Sequence, residues 1–372
     1  MGESAGAMAV GNIVNTMPDD PPFRAAIEMS GSSVVAPLDL GGNDADTTWP
    51  TLVELLNCTR ASDAETLECM RATPAETIKN TLQQNSIVFS TQPANNITIL
   101  DRPDLAWARG RVARVPLLIG STADDGGYFV FEAAKSAMAA NLSVSEALSA
   151  LNLPSSIVDI LGAMYTPGLP FAKNINNTQD AIFQLATDIT FGCTSAFVAN
   201  VTSSLLGVPV WKYVFDAVVP SNSWAEYPEL GAWHASELGL VFGTYLTENA
   251  TEVDAEVSKS IQAQFANFVK DPEKGPGWEQ WPQVGILGVA DGKPVTTTED
   301  IRELYPICQE YNKLWLGTEV PALAEPLIQA AREGVAGEAG EAGDVSSEAT
   351  SSISTVGISI MAAGFVFAAA LS

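Results

Sequence analysis

The chain begins with a short pattern that suits nucleophilic chemistry. Residues Gly2-Glu3-Ser4-Ala5-Gly6 fit G-x-S-x-G, a sharp turn that lifts a serine out of a strand and into the helix that follows. The pattern predicts that both glycines are needed, because a side chain at either position would collide with the neighbouring strand or helix. The small and apolar residues 5–10 suit a helix buried against a sheet. Ser4 is therefore the candidate nucleophile, although only Met1 stands where the supporting strand should lie.

Candidate partners for this serine lie far along the chain. Asp124 and Asp125 follow the apolar run 115–120, and open α/β folds place chemistry beyond the carboxyl ends of such strands. Taken alone, these carboxylates would more often cap a turn. His234 is the single histidine, and a lone histidine is more often structural than catalytic. The order Ser…Asp…His, however, is that of the α/β-hydrolase triads.

The elements that would position these residues alternate between strands and helices. Short apolar runs at 23–30, 115–120 and 208–215 predict strands buried on both faces, as in a parallel sheet. Gly41-Gly42 is interpreted as a turn. Helical patterns cover residues 49–79, 136–200 and 256–270.

Composition excludes several classes of partner. The chain has 372 residues, a hydrophobic content of 47% and a net charge of −26. That apolar content is ample for a core. No basic stripe is present to meet phosphates, so nucleic acid and anionic membrane surfaces are not expected partners. No motif predicts a cofactor.

Cysteines and sequons indicate the secretory pathway. The even number of cysteines favours disulfides, and a zinc site is disfavoured because the chain has no C-x-x-C and one histidine. Six N-x-[ST] sequons predict glycosylation on exposed loops of a secreted protein. The cysteines are Cys58, Cys69, Cys193 and Cys308, and the sequon asparagines are Asn57, Asn96, Asn141, Asn176, Asn200 and Asn249.

The composition changes near the C-terminus. Residues 1–330 are interpreted as the enzyme-like domain, and residues 331–352 as a flexible acidic linker rich in Gly, Ala and Ser. Residues 353–372 carry no charge and are long enough to cross a bilayer. Because no Lys or Arg follows them, a GPI-attachment signal is favoured over a membrane helix. Loose candidates for the attachment site are Gly343, Ser346 and Ser347. Only this tail would contact a membrane.

Taken together, the sequence resembles the type-B carboxylesterase family, which contains cholinesterases and some fungal lipases. The matching segments extend over residues 1 to about 315 in the family's order, and the composition and sequons are similar to those of a fungal extracellular member. The segments are Gly2–Ala7, Phe23–Ile27 with Ser30-Gly31-Ser32, Val115–Gly120 with Asp124-Asp125-Gly126, Gly231–Leu238 with Val241-Phe242-Gly243, and Trp281-Pro282.

The resemblance implies roles for individual residues in hydrolysis of a small-molecule or lipid ester. Ser4 would be the nucleophile, His234 the general base and acid, and Asp125 the acid where the family usually has glutamate, with Asp124 the alternative. Ala5 N–H would donate to the oxyanion, and Ser30 would steady the triad acid. The implied pocket residues are Tyr128 and Phe129, and the implied disulfides are Cys58–Cys69 and Cys193–Cys308.

The resemblance also implies upstream strands and a His-Gly-Gly type loop that completes the oxyanion hole. Neither is found in this sequence, so we expect an α/β-hydrolase fold lacking its N-terminal strands: a partial, mostly parallel sheet with helices on both faces. Loss of one oxyanion donor costs roughly 100- to 1,000-fold in rate, so the chain made alone is expected to be aggregated or inactive. The alternatives are a non-catalytic cholinesterase-like adhesion or binding module, and an inactive remnant. Retention of Ser4, Asp125 and His234 together favours the enzyme.

Overall fold

The computed structural model describes a large part of the chain. Its described residues are 1–34, 44–85, 87, 103–108, 110–149, 155–167 and 175–308. The turn at Gly41-Gly42, the sequon at Asn96, the linker 331–352 and the tail 353–372 lie outside them, so those interpretations stay predictions.

A six-stranded sheet forms the centre of the fold, and its strands follow one another in chain order. The first five strands are parallel, and the sixth pairs antiparallel with the fifth. Since the parallel strands point the same way, their carboxyl ends share one edge, where open α/β folds place functional residues. The strands are β1 Gly2–Glu3, β2 Ala26–Met29, β3 Leu117–Thr122, β4 Val210–Phe215, β5 Gln283–Ala290 and β6 Lys293–Asp300.

Helices fill the connections between the strands. The α-helices are α1 Ala5–Thr16, α2 Asp44–Leu55, α3 Asp63–Ala72, α4 Ala75–Gln84, α5 Pro103–Ala108, α6 Gly127–Ala139, α7 Val144–Ser149, α8 Ser155–Met164, α9 Thr178–Thr187, α10 Cys193–Asn200, α11 Leu238–Phe242, α12 Glu252–Lys270 and α13 Ile301–Leu304. Two π-helical segments, Asp188–Gly192 and Val201–Leu205, flank α10, and a 3-10 turn covers Pro228–Leu230. The stretch Thr178–Leu205 is apolar and long enough to cross a membrane, but most of it is buried inside the fold, as in a core helix.

The sheet separates two apolar cores. Every residue of β4 is buried, and successive side chains alternate between its faces. Val210 and Val214 face one core with α9 and α10, while Trp211, Tyr213 and Phe215 face the other with α12. Helices therefore cover both faces, which confirms the expected α/β-hydrolase type of architecture with a mostly parallel sheet.

The predicted strands and helices are present with shifted boundaries, but β5 and β6 were missed. β5 contains Gly285 and Gly288, which interrupt its apolar pattern. β6 is largely exposed and polar, as suits an edge strand, so it offers little periodic signal. The stretch 49–79, expected to be helical, is divided among three helices that extend from Asp44 to Gln84.

Two disulfides cross-link the described residues. Cys58 pairs with Cys69 within a small helical satellite, and Cys193 pairs with Cys308 across 115 residues. These are the pairs that the resemblance implies. The sequon asparagines among the described residues are all exposed, which is compatible with modification: Asn57, Asn141, Asn176, Asn200 and Asn249.

Candidate active site

Ser4 occupies a strained turn between the first strand and the first helix. β1 pairs in register with the end of β2, Glu3 opposite Met29, and Ser4 N–H donates to Met29 O at 2.9 Å. The backbone of Ser4 has φ 53° and ψ −121°, a conformation that non-glycine residues rarely adopt. Helix α1 begins at the next residue. The strain lifts the hydroxyl off the edge of the sheet, as expected for this pattern.

The two glycines of the pattern differ in what surrounds them. A Cβ on Gly2 would lie 2.2 Å from Gly6 O, so no larger residue fits there. A Cβ on Gly6 would meet no atom of the described residues within 4 Å. The crowding argument is therefore right for Gly2 and wrong for Gly6. Gly31 is the second glycine at the turn where a side chain would clash, because its Cβ would lie 2.7 Å from Ser4 O.

The turn after β3 positions its two carboxylates differently. Asp125 is fully buried, and its Oδ2 accepts the Thr122 N–H at 3.0 Å. Asp124 Oδ2 accepts the Ala232 N–H at 2.9 Å, and Asp124 N–H donates to Ala232 O at 3.1 Å. A Cβ on Gly231 would collide with Asp124 at 2.1 Å. Asp124 thus clamps the segment before the histidine, leaving Asp125 as the carboxylate that faces inward.

His234 joins the turn at Ser4 to the turn at Asp125. Its Nε2 lies 2.9 Å from Ser4 Oγ, and its Nδ1 lies 2.5 Å from Asp125 Oδ1. The His234 side chain is only 9% exposed. A carboxylate at Nδ1 favours the tautomer with the proton there, which leaves Nε2 free to accept the proton of the serine. The arrangement can therefore generate a serine nucleophile.

Carboxylates set the charge balance at the imidazole. Burial alone would lower the pKa of His234, but the hydrogen bond and charge of Asp125, with the charge of Glu3, raise it above its ordinary value. Glu3 Oε1 lies 3.3 Å from His234 Nε2. Burial also raises the pKa of Glu3, and it raises that of the fully buried Glu237 well above its usual range. Imidazolium is thus stabilised more than in water, as the transfer of a proton from serine requires.

Two phenylalanines enclose the imidazole. The ring of Phe129 meets that of His234 edge-on at 4.8 Å between centroids, and the ring of Phe191 lies 5.0 Å away. Tyr128 is 39% exposed and stacks on Trp233 at 6.2 Å. Phe129 is therefore at the site, whereas Tyr128 lies toward its rim.

Sequence reasoning missed Glu3 and Phe191 as neighbours of the histidine. Glu3 stands directly before the serine, and its position in the pattern was the signal that could have found it. Phe191 offered no such signal, since only the packing of the π-helical segment Asp188–Gly192 brings it to the imidazole.

Ala5 and Ser30, the two residues expected to support the triad, have different surroundings. Ala5 is exposed at the first position of α1, where a backbone N–H has no partner within the helix, so it is available to an oxyanion. Ser30 is buried at the end of β2, but its Oγ makes no hydrogen bond with any described residue. The structure does not bring it to Asp125 through a hydrogen bond.

The chain is similar to proteins named as lipases, esterases and acyl-CoA hydrolases. Residues 1–301 match the family model described as Carboxylesterase family. The chain is 31% identical over 313 residues to Secreted lipase 1 of Botryotinia fuckeliana, covering 76% of this chain and 51% of that protein. It is 27% identical over 295 residues to a medium-chain fatty acyl-CoA hydrolase precursor of Anas platyrhynchos, covering 76% and 52%. It is 25% identical over 298 residues to Carboxylesterase 1C of Mus musculus, covering 76% and 52%. The chain thus spans about half the length of these curated relatives.

Proposed function

The chain belongs to the carboxylesterase family, and from that premise we propose that its protein hydrolyses carboxylic esters through a serine acyl-enzyme. The observation that carries the proposal is the hydrogen-bonded series Ser4–His234–Asp125, with distances of 2.9 and 2.5 Å. These residues come from three distant segments, and ordinary core packing gives no reason for them to meet in this order.

The proposed reaction has two halves. His234 Nε2 takes the proton of Ser4 as the hydroxyl oxygen attacks the ester carbonyl, and the imidazolium then protonates the departing alcohol. Water, activated by the same nitrogen, attacks the acyl-enzyme and releases the acid. Asp125 holds the imidazole and stabilises its charged form. The Ala5 N–H donates to the oxyanion, and the positive end of α1 adds to this stabilisation.

The substrate is proposed to be a small-molecule or lipid ester with an apolar part. Phe129 and Phe191 provide an apolar wall beside the imidazole, with Tyr128 at the rim. The relatives include proteins named as secreted lipases from Botryotinia fuckeliana and Gibberella zeae. We accordingly propose an extracellular or cell-surface location, with glycosylation at the sequons and a GPI signal in the tail 353–372.

A fluorophosphonate probe tests the proposal, because it reacts only with an activated serine. In folded protein we expect peptide mass spectrometry to find the label on Ser4, at a rate lowered by the incomplete oxyanion hole, and Ser4→Ala to lose it. Ser32→Ala, which changes a buried serine hydrogen-bonded to Val34, is the matched control and should label as the wild type does. A folded wild-type protein that takes no label would favour the non-catalytic binding module instead, and a label on another serine would refute Ser4 as the nucleophile.

The pH dependence gives a second test. Labelling should fall at acid pH, because a protonated His234 cannot accept the serine proton. Since the pKa of His234 is raised, the midpoint of this fall should lie above the ordinary value of about 6.5. A rate that stays flat between pH 5 and 8 would count against His234 as the base.

A further inference from the structure

Lys212 is a buried lysine that the proposed reaction does not use. It lies in the middle of β4 with no exposed surface, on the face that carries Val210 and Val214. Burial lowers its pKa to about 7, against the opposing effect of the Asp125 charge. Burying a lysine costs free energy unless its ammonium group has hydrogen-bond or charged partners, so a buried lysine at this position needs a physical reason.

The ammonium group reaches the helix that packs on this face. Lys212 Nζ lies 2.5 Å from Ser195 Oγ in α10 and 5.8 Å from the centre of the Tyr305 ring. Ser195 Oγ lies in turn 2.6 Å from Phe191 O and 3.0 Å from Gly192 O. The hydroxyl can therefore accept from the lysine while it donates to the turn before α10.

That turn belongs to the π-helical segment Asp188–Gly192. Such segments are frequent at functional sites and break the regular pattern of backbone hydrogen bonds. Phe191 lies within it, and its ring is 5.0 Å from that of His234. A continuous series of contacts thus runs from Lys212 through Ser195 to the aromatic wall of the imidazole.

Acidic side chains lie on several of the elements around Lys212. Glu28 in β2 is aligned with Ile119 in β3, and Ile119 with Lys212, so Glu28 lies in the same cross-strand row two strands away. Asp125 follows β3, and the fully buried Asp188 lies in the π-helical segment, hydrogen-bonded to Tyr165 and Gln184. The surroundings are acidic, and among the described residues Lys212 is the one fully buried lysine or arginine.

We propose that Lys212 is a positioning residue of the hydrolytic site: through Ser195 it holds the turn that presents Phe191 to His234, and its charge opposes the protonation of the imidazole. The inference rests on the proposed function, since it assigns Lys212 to the same site. The expected electrostatic effect of Lys212 on the pKa of His234 has a definite direction. Lys212 and His234 both interact with the charge of Asp125, so a protonated ammonium competes with the imidazolium for that carboxylate, and its removal should make His234 easier to protonate.

The single histidine of the chain makes the test direct. The imidazole of ¹³C-labelled His234 can be titrated by NMR between pH 5 and 9 without any assay of turnover. In Lys212→Met, which keeps an unbranched apolar side chain, we expect the pKa of His234 to rise by about half a unit, or about threefold in proton affinity. Ser195→Ala, which takes away the acceptor of the ammonium, should give a smaller rise.

The control is Ser258→Ala, which removes a buried hydroxyl that donates to Leu240 O at 2.7 Å on the other face of the sheet. It should leave the titration unchanged. If Lys212→Met does not fold, as judged by circular dichroism, Ser195→Ala decides the question. An unchanged titration in the folded variant, or an equal shift in the control, overturns the proposal. Failure of fluorophosphonate labelling would overturn the proposed function separately, because the titration needs no reaction.

Discussion

Replacing Asp125 by asparagine tests the electrostatic account of the site most directly. The carboxylate lies 2.5 Å from His234 Nδ1, and both side chains are buried. A hydrogen bond to a charged group contributes about 1.5–3 kcal/mol. At 1.36 kcal/mol per pKa unit, its loss corresponds to a fall of about one to two units in the pKa of His234. Burial would then dominate over the remaining charge of Glu3, and the pKa should drop below its ordinary value.

Asparagine also changes the tautomer. Its amide N–H can donate to Nδ1, which places the imidazole proton on Nε2 and removes the acceptor for the proton of Ser4. The rate of fluorophosphonate labelling should therefore fall by about 10⁴-fold, the loss found when this step is removed from related triads. The two effects can be measured separately, by NMR titration of the histidine and by labelling kinetics.

Asp124→Asn is the discriminating comparison. An amide oxygen can still accept the Ala232 N–H, so the clamp on the histidine segment is retained and the pKa of His234 should move less than in Asp125→Asn. The reasoning would be refuted by an unchanged or raised pKa in the folded Asp125→Asn protein. A larger fall in Asp124→Asn would show that the wrong carboxylate had been assigned.

Three further predictions follow from the same contacts. Gly2→Ala should abolish labelling and lower the melting temperature, because its Cβ would lie 2.2 Å from Gly6 O. Gly6→Ala should leave both near the wild-type values, and equal effects of the two variants would contradict the geometry of the turn. Glu3→Gln should lower the pKa of the imidazole 3.3 Å away, and an NMR titration without a fall would exclude the electrostatic contact. Replacing both residues of the Cys193–Cys308 pair by serine should cost about 4–5 kcal/mol in the free energy of unfolding, more than loss of the shorter disulfide, and denaturant titrations of the two variants would check the order.

Much of the fold could be predicted because its strands are short apolar runs. The residues of β2, β3 and β4 are all buried, and their sequences are mostly apolar, with Glu28 in β2 and Lys212 in β4 as the charged-type exceptions, so they stand out from their surroundings. β5 and β6 form the other end of the sheet, where burial is incomplete and glycine and polar residues are tolerated. Their strand character comes from pairing with each other and with β4, which no local pattern records.

The sequence by itself determined which residue types could do chemistry at this site, and in which chain order. The strained turn needs a glycine two residues before the serine, a single histidine leaves one choice of base, and apolar runs place the carboxylates after a strand. The family resemblance favoured Asp125 over Asp124, but position in the chain did not separate them, because adjacent residues in a turn point in different directions that only the backbone fixes.

Only the tertiary structure decided what surrounds the imidazole. Phe191 contacts the imidazole through a π-helical turn, and Lys212 contacts the helix after that turn from a parallel strand, so each contact joins segments far apart in the chain. Contacts of this kind depend on distances of a few ångströms between distant residues. Local propensity and spacing carry no information about them, since burial and charge at one position are set by elements that the sequence places elsewhere.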